Sequence, residues 1–360
     1  MIKYLKKLSQ LLKRIFHFNL SKKISGLKII SKERGFIISF LFDNYFSFVL
    51  KPKKSDNFNL VSTSKYQNNK FAIIIQGPID HEDEFTLETV KIYKKIFPNI
   101  KIILSTWNNE KQSIIDKFKR ENVEIILNEI PKIKGNGNLN LQLKSTYEAI
   151  NLSKNMKLDY ILKTRTDCRI MKPNTLDYLL SLHESFPVKG NDIVDGRLIA
   201  SSIATCKYRI YGLTDICVFG ALKDVEKFFL YEEEQEIIEK YKFPKNKIIN
   251  ETHIKTEILL TARYLKNIGH ELNWTLEDWW SCLSKYFCVV SSSEIDFFWK
   301  KYNWQYEQRL SRSYSKKSNR LIEHSDWFSL YNKKDLNWSS LEYKEKWEEN
   351  NGIIKKKSLL

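Results

Sequence analysis

The sequence is poor in cysteine and has no paired cysteine motif. Its 360 residues include five cysteines, an odd number, and no two of them have the CxxC spacing of a zinc or redox site. This argues against a domain that is stabilised by disulfide bonds. The pattern instead indicates reduced thiols in a cytosolic protein, several of them in the core.

Long apolar runs are lacking as well. The longest run, GFIISFLFDNYFSFVL, is interrupted by Asp43 and Asn44 and falls short of a bilayer-spanning stretch. The N-terminus has neither a continuous apolar region nor a small-residue cleavage site, so we expect no cleavable signal peptide. We therefore predict no transmembrane helix.

Glycine-rich phosphate-binding fingerprints are also missing. Neither GxGxxG nor GxxxxGK[ST] occurs in the sequence, which argues against a standard dinucleotide site and against a P-loop. No internal repeat stands out, so a solenoid or propeller is not indicated either.

Positive charge is plentiful. Lysine and arginine number 60 against 43 acidic residues, a net charge of +17 with a pI near 9.4. Such an excess indicates an anionic partner, which can be phospholipid, nucleic acid or a phosphate-bearing small molecule. No aromatic-basic strand motif or recognition-helix pattern is visible, so we do not expect nucleic acid as the partner. With 42% hydrophobic residues, the composition is that of a globular protein.

The first 18 residues, MIKYLKKLSQLLKRIFHF, predict a basic amphipathic helix. Apolar residues recur there at helical spacing, with lysines and arginine between them. The helix can lie in the headgroup region of the inner leaflet, or it can dock on the protein's own core. Residues 51–70 are polar and basic and read as a linker.

Strands and helices alternate from residue 71 onward. Apolar runs that predict strands lie at 71–77, 101–107, 123–128 and 159–165, and helical patterns lie at 86–97, 111–122 and 140–155. Short connections between them indicate right-handed βαβ units. We therefore predict an α/β fold with a mostly parallel sheet covered by helices on both faces.

The second half of the chain has weaker signals. A helix is predicted at 175–186, and longer helices around 224–242 and 252–268. NDIVDGRL (191–198) and DICVFG (215–220) are strand candidates.

Polar residues follow each predicted strand of the first half. These segments are QGPI (76–79), STWNN (105–109), GNGNLNLQ (135–142) and RTDCR (165–169). In an open parallel sheet, ligands bind at the carboxyl ends of the strands. The four segments are therefore expected to lie on one edge of the sheet and to form a binding site there.

The first three segments suggest contacts to a nucleotide. Gly77, before Pro78, allows a backbone to approach a phosphate or a base closely. Trp107 can stack on a nucleobase, and Asn108 or Asn109 can read the edge of that base. Packing in the core is the alternative role for Trp107.

The RTDCR segment suggests contacts to phosphate. Asp167 can hold a divalent cation that bridges a diphosphate. Arg165 and Arg169 can neutralise the remaining charge, because guanidinium groups match phosphate oxygens. A structural ion pair at the surface is the alternative interpretation.

Four of these motifs, FAIIIQGPI, KIILSTW, NLNLQLKST and YILKTRTDCRI, together resemble the WavE lipopolysaccharide-synthesis family of glycosyltransferases. The resemblance covers roughly residues 68–300, with the motifs confined to about 71–170. It implies a GT-A-like, Rossmann-related fold that binds a nucleotide-sugar, with a carboxylate motif gripping metal and diphosphate.

One residue departs from that family pattern. By the resemblance, Asp167 stands at the last position of an Asp-x-Asp motif, but Arg165 stands at the first. Whether a Mn²⁺ or Mg²⁺ ion binds at Asp167 is therefore left open. One carboxylate and an arginine can suffice to hold the diphosphate without a metal.

The resemblance also implies a catalytic base. TEILLTARYLKNIG (256–269) is similar to the Glu-Asp…Arg…Gly helix of inverting GT-A enzymes, in which a carboxylate deprotonates the acceptor hydroxyl. Glu257 is the matching carboxylate, Asp215 is its rival, and His253 is a weaker candidate. Alternatively, Glu257 lies on the solvated face of an ordinary amphipathic helix.

These inferences give a full expectation for the chain. We expect a donor half at 67–170 and an acceptor half at 171–310, between an N-terminal region at 1–66 and a Trp/Lys-rich tail at 311–360. The partners are a nucleotide-sugar, a lipid-linked glycan acceptor and the anionic inner leaflet, on the cytoplasmic side. Transfer of a phosphoryl-linked group and a non-catalytic basic binding protein are the alternatives. The expected donor-binding residues are Gln76, Gly77, Pro78, Thr106, Trp107, Asn108, Asn140, Gln142, Arg165, Asp167 and Arg169.

Overall fold

A computed structural model describes residues 51–61, 70–241, 243, 255–302 and 321–332. The predicted N-terminal helix, His253 and most of the C-terminal tail lie outside these ranges. The chain divides into two compact units, Met1–Pro52 and Lys53–Leu360, and the sheet belongs to the second.

Within the described ranges, nine strands form two sheets. They are β1 (Phe71–Gln76), β2 (Lys101–Trp107), β3 (Glu124–Asn128), β4 (Tyr160–Arg165), β5 (Cys168–Ile170), β6 (Leu198–Ser201), β7 (Val218–Ala221), β8 (Phe287–Val290) and β9 (Phe297–Trp299). Seven of them make one sheet in the order β3-β2-β1-β4-β7-β6-β8, and β5 pairs with β9 separately. In the large sheet β7 runs antiparallel to β4 and β6, and the other pairs are parallel.

Helices flank this sheet. They are α1 (Phe85–Ile96), α2 (Gln112–Arg120), α3 (Leu139–Asn155), α4 (Thr175–Ser185), α5 (Leu222–Phe228), α6 (Glu234–Tyr241), α7 (Thr256–Asn267), α8 (Leu276–Tyr286) and α9 (His324–Asn332). The predicted α/β fold with a mostly parallel, helix-flanked sheet is confirmed. Among the helices of the described ranges, none is both long and apolar enough to span a bilayer.

The core lies around the central strands. All six residues of β1 are buried, as expected for a strand with a neighbour on each side and helices over both faces. Strand β4 pairs with β1 on one side and with β7 on the other, so the two predicted halves of the chain share one sheet. Four of the cysteines (Cys168, Cys217, Cys282 and Cys288) are buried, which confirms the prediction that several lie in the core.

The predicted helix at 224–242 is wrong as a single element. It is two helices, α5 and α6, separated after Phe228. Phe228 and Phe229 are both fully buried and their rings pack edge to face, with centroids 4.9 Å apart. In one continuous helix, the side chains of neighbouring residues point about 100° apart around the axis, so two adjacent rings do not face the same side. Because α5 ends at Phe228, the rings of Phe228 and Phe229 can both pack in the core.

The predicted strand at 191–198 is also wrong, since β6 begins only at Leu198. The backbone N–H groups of Asp195 and Gly196 donate to Asp224 Oδ2 at 2.9 and 3.0 Å, which holds the preceding residues in a turn. At Gly196 a side chain would collide with the ring of His183, because a Cβ there would lie 2.2 Å from it.

The small sheet brings a distant segment to the end of β4. Cys168 pairs with Trp299 and Ile170 pairs with Phe297, antiparallel. The backbone N–H of Lys300 then donates to the carbonyl of Asp167 at 3.0 Å. Residues 297–301 therefore lie beside the RTDCR segment, although more than a hundred residues separate them in sequence.

Candidate active site

A pocket of about 610 Å³ opens at the carboxyl ends of β1, β2 and β4. Its walls come from the loops after these strands, the start of α3 and the segment after β9. The residues that line it are Gln76, Gly77, Pro78, Ile79, Asp80, Trp107, Gly137, Asn138, Leu141, Gln142, Arg165, Thr166, Asp167, Trp299 and Lys301.

The turn after β1 requires glycine. Gly77 has a φ of +124°, and a Cβ there would lie 3.0 Å from Thr166 Oγ1. The backbone N–H of Thr166 donates to the carbonyl of Gln76 at 3.1 Å. The chain leaving β1 thus passes close to the chain leaving β4, and both form the floor of the pocket.

A buried polar network supports this edge of the sheet. Gln76 Nε2 donates to Ser145 Oγ at 2.9 Å, and Ser105 Oγ donates to the carbonyl of Ser145 at 2.6 Å. Asn128 Nδ2 donates to Ser105 Oγ at 2.9 Å. The network ties the ends of β1, β2 and β3 to α3, so the side chain of Gln76 is held in place.

Arg165 and Asp167 form a two-point ion pair on one wall. Arg165 Nε donates to Asp167 Oδ1 at 2.9 Å, and Arg165 Nη2 donates to Asp167 Oδ2 at 3.1 Å. Trp299 Nε1 donates to the same Oδ2 at 2.9 Å, and the guanidinium lies 5.4 Å from the centroid of the Trp299 ring. Asp167 and Trp299 together fix the orientation of the Arg165 side chain, which remains 29% exposed.

The two charges stabilise each other. Burial acts to raise the pKa of Asp167, but the charge and hydrogen bonds of Arg165 outweigh burial, so the pKa lies below its usual value. Burial likewise acts to lower the pKa of Arg165, and the Asp167 carboxylate overcomes it and raises that pKa. Both groups are therefore ionised at neutral pH.

The two carboxylates that line the pocket already bind cations. Asp80 accepts from Lys300 Nζ at 2.8 and 2.9 Å through its two oxygens, as Asp167 does from Arg165. Among the described residues, no group of three His, Cys, Asp or Glu ligands surrounds this pocket. The donor set therefore does not match a Mn²⁺ or Mg²⁺ site, which takes several oxygen ligands free for the ion. The metal at Asp167 stays a prediction.

The loop before α3 forms the opposite wall. Gly137 and Asn138 both have positive φ values, 61° and 63°, and both line the pocket. Gln142, one turn into α3, is buried, and its Nε2 has no hydrogen-bond partner among the described residues. Because a buried unpaired donor is costly, this amide is a candidate contact to a ligand.

A cluster of charges lies beside this wall. The Thr256 hydroxyl donates to the carbonyl of Asn136 at 3.4 Å, so the start of α7 borders the loop that lines the pocket. Glu257 follows Thr256, and its Oε1 lies 3.6 Å from Arg209 Nη1. Burial raises the pKa of Glu257, and the charge of Asp215 raises it further, against Arg209.

Asp215 connects this cluster to the pocket. Its carboxylate charge contributes to the raised pKa of Arg165 as well as to that of Glu257. The carbonyl of Asp215 accepts from Lys163 Nζ at 2.6 Å, on the strand that carries Arg165. The charge of Asp215 thus acts on both Glu257 and Arg165, but neither Glu257 nor Asp215 is among the residues that line the pocket.

Four expected donor-binding residues, Thr106, Asn108, Asn140 and Arg169, do not line the pocket. Thr106 is fully buried, and Asn108 is exposed at the turn after β2. Asn140 Nδ2 donates to the carbonyl of Ile133 at 3.1 Å, and its Oδ1 accepts from the N–H of Glu234 at 2.8 Å. Asn140 therefore fixes the loop before α3. Trp107 does line the pocket, but only 6% of it is exposed, which leaves little area for stacking on a base.

Arg169 also lies away from the pocket. Its Nε donates to Thr89 Oγ1 at 3.0 Å and its Nη2 to the carbonyl of Phe85 at 3.1 Å, so it binds α1. The guanidinium packs 4.3 Å from the centroid of the Phe85 ring. Burial lowers its pKa to about 10. Only 1% of the residue is exposed, so it offers no surface to a phosphate in this pocket.

Sequence reasoning missed three polar residues of the pocket: Asp80, Trp299 and Lys301. Asp80 lies just past the QGPI segment, so extending the polar strand-end rule by one residue finds it. Trp299 and Lys301 arrive through the pairing of β9 with β5, and the local pattern of the sequence carries no signal for that pairing.

Comparison with known proteins gives a family. The model of the family described as WavE lipopolysaccharide synthesis matches residues 71–353. No curated protein matches the sequence. A solved cytidylyltransferase from Leptospira borgpetersenii serovar Hardjo-bovis is similar at 12% identity and a TM-score of 0.36, covering 74% of this chain and 95% of that one.

The glycosyltransferase GlyE of Streptococcus pneumoniae is similar at 10% identity and a TM-score of 0.35, covering 78% of this chain and 59% of that one. Both TM-scores are low, so neither similarity supports a conclusion about the function of this chain. The family match spans most of the chain and includes the strand-end motifs that build the pocket. The chain belongs to the WavE lipopolysaccharide synthesis family.

Proposed function

We propose that this protein is a glycosyltransferase of the GT-A-like type, which binds a nucleotide-sugar in the pocket at the ends of β1, β2 and β4. The observation that carries the proposal is the Arg165 guanidinium, fixed by Asp167 and Trp299 and still partly exposed in that pocket. A fixed guanidinium fork matches phosphate oxygens. A diphosphate is the part of a nucleotide-sugar that most needs such a partner.

Neighbouring groups complete the diphosphate site. Lys301 lines the same pocket and supplies a second positive charge. The backbone at Gly77 carries no side chain, so a phosphate can approach it closely. The amide of Gln142 offers a hydrogen-bond donor from the opposite wall.

Glu257 is the proposed base. It takes the proton of an acceptor sugar hydroxyl as that oxygen bonds to the anomeric carbon of the donor. The bond from this carbon to the phosphate oxygen breaks at the same time, and its electron pair leaves with the nucleoside diphosphate. Arg165 and Lys301 stabilise the charge that develops on this leaving group. The raised pKa of Glu257 makes its carboxylate a stronger base, and Asp215 is the alternative.

The acceptor is proposed from the family and from the charge of the chain. A lipopolysaccharide, lipooligosaccharide or capsule precursor carried on a lipid presents its sugar at an anionic membrane surface. The net charge of +17 favours peripheral binding to the inner leaflet on its cytoplasmic side. The basic N-terminal segment, outside the described residues, is the proposed contact.

The proposal is tested by nucleotide release from UDP-, GDP- and CMP-sugars in the presence of lipid-linked glycan acceptors. Asp167→Asn removes the charge that orients Arg165, so turnover with the active donor should fall at least about tenfold while the protein stays folded. Asp159→Asn is the matched control, because Asp159 pairs with Lys70 before β4, at the other end of the strand.

Unchanged turnover in Asp167→Asn would remove the pocket from the mechanism. The mass of the product separates two kinds of transfer. Addition of a sugar alone supports glycosyl transfer. Addition of a sugar phosphate or a nucleotide would show that the same site transfers a phosphoryl-linked group instead.

A further inference from the structure

Three side chains of different chemistry meet around the start of α8. His270 Nε2 lies 3.0 Å from Asp278 Oδ1 and 3.0 Å from Cys282 Sγ, and Cys282 Sγ lies 4.0 Å from Asp278 Oδ1. All three atoms lie within 4.8 Å of one another. None of these residues lines the pocket described above. The cluster therefore needs an explanation of its own.

The spacing is close to that of zinc ligands. Zinc–ligand bonds of about 2.0–2.3 Å at a tetrahedral centre put neighbouring ligand atoms about 3.3–3.6 Å apart. The observed separations of 3.0, 3.0 and 4.0 Å bracket these values, so shifts of about half an ångström would place the three atoms around one ion. Asp278 and Cys282 are four residues apart on α8, which puts both on one helix face.

Hydrogen bonding alone serves this arrangement poorly. Nε2 of a neutral imidazole is either a donor or an acceptor. As a donor it can serve the Asp278 carboxylate, and the Cys282 thiol is then left with a long contact of 4.0 Å to Asp278 Oδ1 as its own hydrogen bond. As an acceptor it can serve the thiol, but it then meets a carboxylate that has no proton to give. A metal ion bonded to all three atoms removes this conflict.

The surroundings orient Asp278 for such a role. Its Oδ2 accepts hydrogen bonds from the Tyr211 hydroxyl and, at 3.1 Å, from the N–H of Asn273. The other oxygen, Oδ1, is the one that faces His270 and Cys282. Outer hydrogen bonds of this kind fix carboxylate ligands in metal sites. Tyr211 thereby connects the 206–214 loop, which carries Arg209, to the cluster.

Charge also favours zinc. When zinc binds, the Cys282 thiol releases its proton to water, and the resulting thiolate and the Asp278 carboxylate carry two negative charges that the divalent ion balances. Cys282 is buried and the Asp278 side chain is 7% exposed, and in such surroundings a neutral assembly costs much less than separate charges. His270 is 19% exposed, which leaves room for a water as the fourth ligand.

We propose that His270, Asp278 and Cys282 bind one zinc ion, which clamps the 270–275 segment and the Tyr211 loop to α8. The set combines nitrogen, oxygen and sulfur ligands, which suits zinc better than magnesium or calcium. The sequence gives no CxxC signal for the site because a single cysteine supplies the sulfur. Histidine and aspartate provide the other two ligands.

The test measures metal in the purified full-length chain by elemental analysis. We expect close to one zinc per chain in the unaltered protein and less than about a tenth of that in Cys282→Ala. Cys288→Ala is the matched control, because Cys288 is equally buried in β8 and lies outside the cluster. It should retain the zinc.

A second measurement does not depend on the stability of the variants. Stripped protein of unaltered sequence is titrated with cobalt, whose thiolate charge-transfer absorption reports a cysteine ligand directly. Zinc added to the stripped protein should raise the melting temperature by about 5 °C or more, because zinc binds only the folded site. Absence of zinc as purified, no cobalt–thiolate band and no thermal shift together would overturn the proposal.

Discussion

Two arginines lie four residues apart in the sequence, but their surroundings in the structure differ. The contrast distinguishes a residue that can bind substrate from one that stabilises the fold. Arg165 ends β4 in the pocket, paired with Asp167 and 29% exposed. Arg169, in β5, is 1% exposed and binds α1 through the Thr89 hydroxyl and the Phe85 carbonyl. Both occur in one short motif, and from the sequence alone both are equally good candidates to bind phosphate. Only the fold distinguishes them.

The largest expected effect is on turnover in Arg165→Met. The substitution removes the guanidinium that we propose binds the donor diphosphate, so kcat/KM should fall about 10²–10³-fold. Stability should fall by about 1–2 kcal/mol, because the Asp167 carboxylate loses its cation but keeps the Trp299 N–H donor and is 17% exposed. Steady-state kinetics with the active nucleotide-sugar measures the first quantity and urea unfolding the second. Turnover near that of the unaltered protein would place the diphosphate elsewhere.

The same substitution at Arg169 should reduce stability and leave activity nearly unchanged. Arg169→Met leaves the Phe85 carbonyl and the Thr89 hydroxyl without their buried donor, and we expect a loss of about 3 kcal/mol in the free energy of unfolding. Activity per folded molecule should stay within about twofold. Urea unfolding followed by circular dichroism provides the measurement. A stable but inactive Arg169→Met would reverse the assignment of the two arginines.

Glu257, the proposed base, does not line the pocket but follows Thr256, which contacts the loop before α3. In Glu257→Gln, kcat should fall about 10²-fold. A base must be deprotonated, so the activity of the unaltered protein should decline as pH falls through the raised pKa of Glu257. This decline in activity at low pH should be absent in Glu257→Gln and present in Asp215→Asn. The reverse pattern in the pH–rate profiles would make Asp215 the base.

A third cation, Lys163, lies two residues before Arg165 on β4 and is fully buried. Burial, the largest influence, lowers its pKa to about 8, against the charge of Asp215. A folded-state pKa below the unfolded one means that the unfolded chain binds more protons between pH 8 and 10.5. Stability from Lys163 is therefore present above pH 10.5 and is lost as pH falls towards 8.

Lys163→Met removes this contribution. Unfolding free energies of the two proteins, measured at intervals across that window, should diverge by about 3 kcal/mol in favour of the unaltered protein as pH rises. A constant difference between them would mean that Lys163 titrates normally in the folded state.

The smallest effect is expected at Asn108. Its side chain is exposed and lies outside the pocket lining, so Asn108→Ala should change turnover by less than about twofold and stability by less than about 0.5 kcal/mol. A tenfold change in KM would show that the turn after β2 moves onto the donor.

The central strands could be predicted from the sequence because their signal is local. β1, β2 and β4 are continuous apolar runs that stop at polar residues, and the structure places each within one residue of the prediction. The strand-end rule then brings Gln76, Trp107 and other motif residues to one pocket without further information.

The rest depends on contacts between distant parts of the chain. Which way Arg165 and Arg169 face is decided by β5, a three-residue strand whose partner β9 lies far along the sequence. Trp299 reaches Asp167 through that pairing. Asn140 resembles a ligand residue in the sequence, but its amide is used by the Ile133 carbonyl and by the start of α6. No periodicity encodes such partners.

The most direct test of the account is nucleotide-sugar binding by the two methionine variants. Binding stabilises the folded state, so thermal shift reports it without any need for the acceptor. We predict that the active donor raises the melting temperatures of the unaltered protein and Arg169→Met by similar amounts and barely moves that of Arg165→Met. An equal shift in Arg165→Met would contradict the claim that this pocket holds the donor through Arg165.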